Sequence, residues 1–251
     1  MEKTALITGA SSGIGRATAR RFAQQGYRLV LCGRRLKRLE ALKSELGSAA
    51  RVHLLCFDVR SRQGVAKAIE SLPAAFSKID LLVNNAGNAH GLDPIQDGDP
   101  EDWDAMIDIN VKGLLNVSWA VMPQMVARNA GHIINIGSIA AKEVYPNGNV
   151  YCASKQAVDA ITQGMRIDLN PHGIRVGAVH PGLVETEFSE VRFKGDRERA
   201  SRVYDGYRPL GPEDIADTIH FMANCPAHVN IADLVVLPTA QGSATLVNKK
   251  P

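Results

Sequence analysis

Cysteine is scarce and scattered in this chain. Cys32, Cys56, Cys152 and Cys225 are its four cysteines, and no two stand at a disulfide-framework or metal-ligand spacing. A reducing compartment is expected, with no metal. Strong charge of either sign is missing as well: the formal net charge is +3, and the basic residues are spread along the chain. That argues against nucleic acid as a partner. No apolar run approaches the ~20 residues needed to span a bilayer, so no membrane partner is expected. Met1-Glu2-Lys3-Thr4 leads straight into an apolar run, leaving no room for a signal peptide. The expectation is a soluble cytoplasmic protein. What the chain does have is length: 251 residues, 45% hydrophobic, suffice for one large core.

Acidic residues are missing at one telling place. Leu29-Val30-Leu31-Cys32 reads as a buried strand and ends in Gly33-Arg34-Arg35, yet no Asp or Glu occurs between Gly26 and Arg38. Arg34, Arg35, Lys37 and Arg38 crowd the start of a helix, where the macrodipole disfavours cations. A ligand anion would explain them; a solvated basic turn is the plainer alternative. The preceding unit supplies a reason to expect the anion. Ala5-Leu6-Ile7-Thr8 is a short strand that runs through Gly9-Ala10-Ser11-Ser12-Gly13-Ile14-Gly15 into a helix. Glycines there let the backbone approach a phosphate, and the helix N-terminus offers free N–H groups. The spacing is G-x-x-x-G-x-G, not the commoner G-x-G-x-x-G. A carboxylate after the second strand would bind the ribose hydroxyls of NAD, whereas arginine accommodates a 2′-phosphate. The pattern therefore selects NADP.

Strand and helix patterns keep alternating. Val52–Phe57 is a third strand, closed by Asp58-Val59, and Leu81-Leu82-Val83 a fourth, running into Asn84-Asn85-Ala86-Gly87. Asp58 could take a hydrogen bond from an adenine amino group or serve as an N-terminal acid for the helix after Ser61. Asn84–Gly87 is a plain turn or a cofactor-lining one. Asp99-Pro100-Glu101-Asp102 caps a helix in which Trp103, Met106, Ile107, Asn110, Val111, Leu114 and Leu115 recur at helical spacing. Asn110 lies inside that apolar stripe and needs a partner, either structural or a water near a reaction site.

Ile133–Ile136 is a further buried strand, with Ser138 just past its C-terminal end, where ligands bind in open α/β sheets. A helix follows the Pro146-Asn147-Gly148 loop, with Val150, Ala157, Val158 and Ile161 expected on its apolar side. Tyr151 and Lys155 stand four residues apart, on one face of it. A phenol of pKa ~10 becomes a useful proton donor and acceptor only when a neighbouring cation favours the phenolate. Such a pair is also ordinary helix surface; the rest of the chain decides.

Taken in order, Thr8–Gly15, Asp58, Asn84–Gly87, Asn110, Ser138, Tyr151 with Lys155, and Pro181-Gly182 followed by Thr186 resemble the single-domain short-chain dehydrogenase/reductase family over essentially the whole chain. The resemblance implies an α/β, Rossmann-type, doubly wound seven-stranded parallel sheet, residues 1–251 forming one domain, with the last strand at Leu234–Leu237. It implies that Tyr151 is the general acid/base, that Lys155 binds the nicotinamide ribose and lowers the phenol's pKa, that Ser138 orients the carbonyl, and that Asn110 holds a relay water. Gly9, Ser11, Ser12, Gly13, Ile14, Gly15, Arg34, Arg35, Asp58, Val59, Asn85, Ala86 and Gly87 would line the cofactor. Pro181, Gly182, Val184 and Thr186 would join Tyr151 and Lys155 at its nicotinamide end. Family analogy and the Trp103–Leu115 face favour a homotetramer.

The charged stretch after Val184, around residues 185–209, breaks the strand–helix alternation and corresponds to a substrate lid in this family. Its Glu187–Asp196 run, with Pro226–Ile231, resembles NADP-dependent 3-hydroxy acid dehydrogenases that include serine and allo-threonine dehydrogenases; sulfoacetaldehyde reductases are near relatives. The expected substrate is a small polar hydroxy acid or its carbonyl form, its acid group read by Arg192. Arg192 could instead pair with Glu187, Glu190 or Asp196 and only shape the loop. Reduction of a bulkier carbonyl such as a 3-oxoacyl thioester, and a non-catalytic NADP-binding regulator, are the competing functions.

Overall fold

The computed structural model describes residues 2–250. Seven parallel strands form one sheet: β1 (Thr4–Thr8), β2 (Arg28–Gly33), β3 (Val52–Cys56), β4 (Leu81–Asn84), β5 (Gly131–Ile136), β6 (Ile174–Pro181) and β7 (Asp233–Val236). Their order is β3-β2-β1-β4-β5-β6-β7. The helices are α1 (Gly13–Gln24), α2 (Leu36–Leu46), α3 (Arg62–Glu70), α4 (Ala74–Ser77), α5 (Pro100–Ile107), α6 (Leu114–Arg128), α7 (Asn149–Leu169), α8 (Phe188–Arg192), α9 (Arg197–Arg202) and α10 (Pro212–Asn224). The doubly wound parallel sheet expected from the sequence is present. The last strand sits one residue earlier than expected.

Strand period two divides the core. Ala5 and Ile7 of β1 join Leu29, Leu31 and Val83 against Phe22 of α1 and Ile215, Ile219 and Met222 of α10. Leu6, Val30, Leu82 and Ile133 face the other way, onto Val65 of α3, Val117 and Val121 of α6, and Val158 of α7. The inner strands β1, β2, β4, β5 and β6 are buried on both sides, which is why their runs read as continuously apolar. Register pairs Ile7 with Leu31 on one side and with Val83 on the other. Strand order reverses between β1 and β4, so the connections leaving their C-terminal ends diverge and open a crevice there.

Local chemistry sets several element starts as expected. The Asp99 carboxylate accepts from Glu101 N at 3.0 Å, with Pro100 first in α5. The α3 cap is Ser61, whose hydroxyl accepts from Gly64 N, so Asp58 is not the capping acid. The helix expected through Leu115 runs on to Arg128 but contains a π-helical stretch, Asp108–Gly113, between α5 and α6. The wide turn lets both Ile109 and Asn110 face inward. Of the stripe expected at a tetramer interface, Met106, Asn110 and Leu114 are buried and Leu115 is exposed; Trp119, beyond the stripe on α6, is exposed as well.

Candidate active site

A cavity of about 690 Å³ occupies the crevice at the C-terminal ends of the strands. The phosphate turn forms one end. Gly9 sits at φ +66, a left-handed conformation glycine tolerates, and a Cβ at Gly15 would come within 2.4 Å of Gly9 O. The turn can pack against α1 only with glycine at that position. Ser12 is the α1 N-cap yet makes no side-chain cap bond, so no side chain occupies the helix's first N–H groups. Gly9, Ser11, Ser12, Gly13 and Ile14 all line the cavity; Gly15 stands behind it. Asn85 fixes the facing wall: its amide donates to Thr8 O at 2.9 Å, while its own N–H and that of Ala86 both reach Thr8 Oγ1 at 3.0 Å. Asn85–Gly87 is thus a wired cavity wall rather than a plain turn.

At the end of β2, Arg34 and Arg35 line the same cavity. The Arg35 guanidinium donates to Ser11 Oγ at 3.0 Å and Ser12 Oγ at 2.8 Å, binding the basic end to the phosphate turn. Asp58 and Val59 border it too, with Asp58 held by Arg60 at 2.7 Å. Cations, free helix N–H groups and the lack of a carboxylate after β2 fit a dinucleotide with a 2′-phosphate.

At the other end Ser138, Tyr151 and Lys155 converge, positioned by the end of β5 and the first turns of α7. The buried face of α7 carries Tyr151, Lys155, Val158 and Thr162, whereas Val150, Ala157 and Ile161 are only half-buried. The face expected from hydrophobicity is therefore rotated, because reactive polar groups hold buried positions. Lys155 donates to Ile136 O at 2.9 Å and lies 6.0 Å from the Tyr151 ring centroid. Burial lowers its pKa to about 8. Burial likewise pushes the Tyr151 phenol above its ordinary range; Tyr145 adds to the rise, while the Ser138 hydrogen bond and the Arg192 charge oppose it. Desolvation is the largest influence on this phenol.

Asn110 does not line the cavity. Its oxygen accepts from Asn88 N at 2.8 Å, and its amide donates to Asn88 O and Ser154 Oγ at 2.8 and 3.0 Å. The side chain ties the π-turn to the β4 loop and α7 through both amide hydrogens and one bond to its oxygen, whose second lone pair has no protein partner.

Pro181, Gly182, Val184 and Thr186 line the cavity beyond β6. Arg192 enters from α8. Its Nε donates to Gly91 O at 3.2 Å, and its guanidinium carbon lies 5.5 Å from the Tyr145 and Tyr151 ring centroids. Nη2 is buried with no partner. The carboxylates that could have claimed it are engaged elsewhere: Glu187 by Arg38 and Arg35, Glu190 by Arg197, and Asp196 by the first turn of α9. None of the three acids pairs with Arg192.

Contacts of three residues escaped the sequence reading. Tyr145 stacks beside Arg192. Glu187 reaches back to α2. His180, fully buried, places Nδ1 3.2 Å from Ser138 O and Nε2 3.0 Å from Asp233. Asp159, His180 and Asp233 offer ligand atoms within 4.8 Å of one another, but the Lys142 ammonium already lies 3.0 and 2.6 Å from the two carboxylates. Only the proximity of Tyr145 to Tyr151 had a local signal; the other contacts join residues from distant parts of the chain.

The short chain dehydrogenase family profile matches residues 3–197. Sulfoacetaldehyde reductase 2 of Chromohalobacter salexigens is 48% identical over 242 residues, covering 96% of both chains. The NADP-dependent 3-hydroxy acid dehydrogenase YdfG of Salmonella typhi is also 48% identical, covering 96% of this chain and 97% of its own. Among solved structures, a closed form of serine dehydrogenase complexed with NADP+ superposes with a TM-score of 0.93 at 46% identity, covering 97% of this chain and 98% of that one.

Proposed function

Because the chain belongs to the short-chain dehydrogenase family, we propose that it interconverts a small polar 3-hydroxy acid, or a related hydroxy acid such as serine, allo-threonine or isethionate, with its carbonyl form, using NADP. The observation that carries the substrate class is the Arg192 guanidinium, aimed at the reacting phenol with one buried nitrogen unpartnered. A buried donor without an acceptor is costly, and a carboxylate or sulfonate is the acceptor that fits its fork. The same relatives whose names include 3-hydroxy acid, serine and sulfoacetaldehyde act on small acids of this kind.

Arg34 and Arg35 would hold the 2′-phosphate, and the turn from Gly9 to Gly15 the pyrophosphate. Asp58 and Val59 would meet the adenine, and Asn85 to Gly87 with Pro181 to Thr186 the nicotinamide half. When bound, the dinucleotide donates or accepts the hydride. The chain's own groups manage the proton: Tyr151 gives it to the carbonyl oxygen in reduction and takes it back in oxidation, and Ser138 hydrogen-bonds that oxygen. The raised pKa of Tyr151 keeps the phenol protonated, as an acid must be. Lys155 and Arg192 are the cations near enough to favour the phenolate in oxidation.

Residues 1–251 act as one domain in this reading, with 185–209 as its lid. It is a cytoplasmic homotetramer, supported by exposed Leu115 and Trp119 on α6 and Ile167 on α7; among the described residues no helix is long and apolar enough to cross a membrane. The test is a panel with NADP+ or NADPH: serine, allo-threonine, 3-hydroxyisobutyrate, 3-hydroxypropionate and isethionate beside neutral alcohols and a 3-oxoacyl thioester. Turnover of the acids above the others is expected. Preference for the thioester or for neutral alcohols would contradict the reading.

A further inference from the structure

The arginines at the end of β2 are not waiting empty. Arg38 Nη1 lies 2.8 and 2.7 Å from the two Glu187 carboxylate oxygens, and Arg35 Nη1 lies 3.3 Å from one of them. Burial pushes the Glu187 carboxyl up, but the contacts to Arg38 and Arg35 together hold it below its usual range. Glu187 follows Thr186 directly and is the residue from which α8, the carrier of Arg192, begins. The carboxylate therefore comes from the start of the proposed substrate lid and sits beside the arginines that the sequence assigns to a phosphate.

We propose that Glu187 is an internal stand-in for the 2′-phosphate of NADP: it occupies Arg35 and Arg38 in the free protein and is displaced when the phosphate binds. The idea rests on the assignment of Arg35 to that phosphate. Both ligands are anionic oxygen acceptors suited to the arginine fork, and the phosphate wins by carrying more charge and three acceptor oxygens. The exchange is feasible because the ion pairs are partly exposed, so each is worth only a few-fold in affinity. NAD, with hydroxyls at the same place, has nothing to displace Glu187 with. Glu187 thus narrows the preference for NADP over NAD, by taxing the cofactor that needs the arginines.

The displacement also reaches the lid. The stretch that carries Arg192 is fastened separately: Gly91 N donates to Arg192 O at 3.0 Å, and Lys194 lies 3.3 and 3.0 Å from Asp99 and Asp102. Loss of the Glu187 contacts frees only the end nearest the adenosine site, leaving Arg192 held at the substrate end. Cofactor recognition at one end of the cavity then loosens the hinge of the segment that closes over the other.

Adenosine 2′,5′-bisphosphate and adenosine 5′-monophosphate test this without touching the nicotinamide end. Calorimetric titration of Glu187→Gln should show the bisphosphate binding roughly five- to tenfold tighter than to the parent, with the monophosphate within about twofold. In the parent, hydrogen exchange of the peptide spanning 187–191 should rise with the bisphosphate and not with the monophosphate. Unchanged bisphosphate affinity in Glu187→Gln, equal tightening of both ligands, or no exchange response overturns the stand-in. Arg35→Gln separates the premise: it should weaken the bisphosphate, and if it does not, the phosphate lies elsewhere and the proposal fails for that reason.

Discussion

Replacing Lys155 by methionine separates what this side chain does for the chemistry from what it costs the fold. Lys155 is 6% exposed and donates to Ile136 O at 2.9 Å. Burial lowers its pKa from the ordinary 10.5 to about 8. A difference of that size sets about 3 kcal/mol against folding wherever both states are protonated, at roughly 1.4 kcal/mol per pKa unit. Methionine keeps the length without the charge. Losing the contact to Ile136 O gives back about 1–2 kcal/mol, so the net gain near pH 7 is on the order of 1–2 kcal/mol. For a chain of this size that raises Tm by about 2–8 °C. The sign with pH follows from proton counting. Between about 8 and 10.5 the unfolded chain holds the Lys155 proton and the folded one does not, so the parent gains stability as pH rises and the variant does not. Thermal melts of the two proteins without cofactor, at pH 7 and again near pH 10, read this directly, while turnover and NADPH affinity should both fall. A variant that is less stable at pH 7, or a Tm difference that ignores pH, would refute the reasoning.

Tyr151→Phe keeps the buried ring and removes the proton, so steady-state kinetics should show turnover down by roughly 10²–10⁴ with NADPH affinity within a few-fold; substantial residual activity would sink the mechanism. His132 is buried with neither ring nitrogen partnered, and burial lowers its pKa to about 3. The unfolded chain binds this proton near pH ~6.5 and the folded one does not, so stability falls by about 1.4 kcal/mol per pH unit on acidification until the folded group titrates. In urea titrations His132→Leu should therefore gain about 3 kcal/mol relative to the parent between pH 7.5 and 4.5, and a difference constant with pH would contradict that origin.

Much of the fold was legible because its signals are local. Apolar runs bounded by turns located β1 to β5, the family resemblance supplied the last strand, and the Asp99-Pro100 cap located α5. The Tyr151–Lys155 spacing held because both residues lie in one regular helix. What escaped depends on contacts that periodicity does not record. The π-turn at Asp108–Gly113 adds a residue to one turn, so Ile109 turned inward where an unbroken helix would have left it out of the stripe. The buried face of α7 was misphased because Tyr151, Lys155 and Thr162 are polar and buried, reversing the usual correlation. Asn84 donates to Ser118 and Asn135, and Asn135 to Thr162, a buried polar chain linking the middle of the sheet to α6 and α7. No local pattern announces it. Glu187 and Arg35 are 152 residues apart, and His180 reaches Ser138 across 42; only the folded sheet brings either pair together.

The account turns on an acid-reading arginine beside a proton-donating tyrosine, and one comparison tests it most directly. Steady-state kinetics of Arg192→Ala should be measured with 3-hydroxypropionate and with an uncharged alcohol of similar size, NADP+ saturating. The loss in kcat/KM should be roughly ten- to a hundredfold for the acid and within about threefold for the alcohol, since only the acid loses a charge-assisted pair. Equal losses for both substrates would mean that Arg192 only shapes the lid, and would contradict the account.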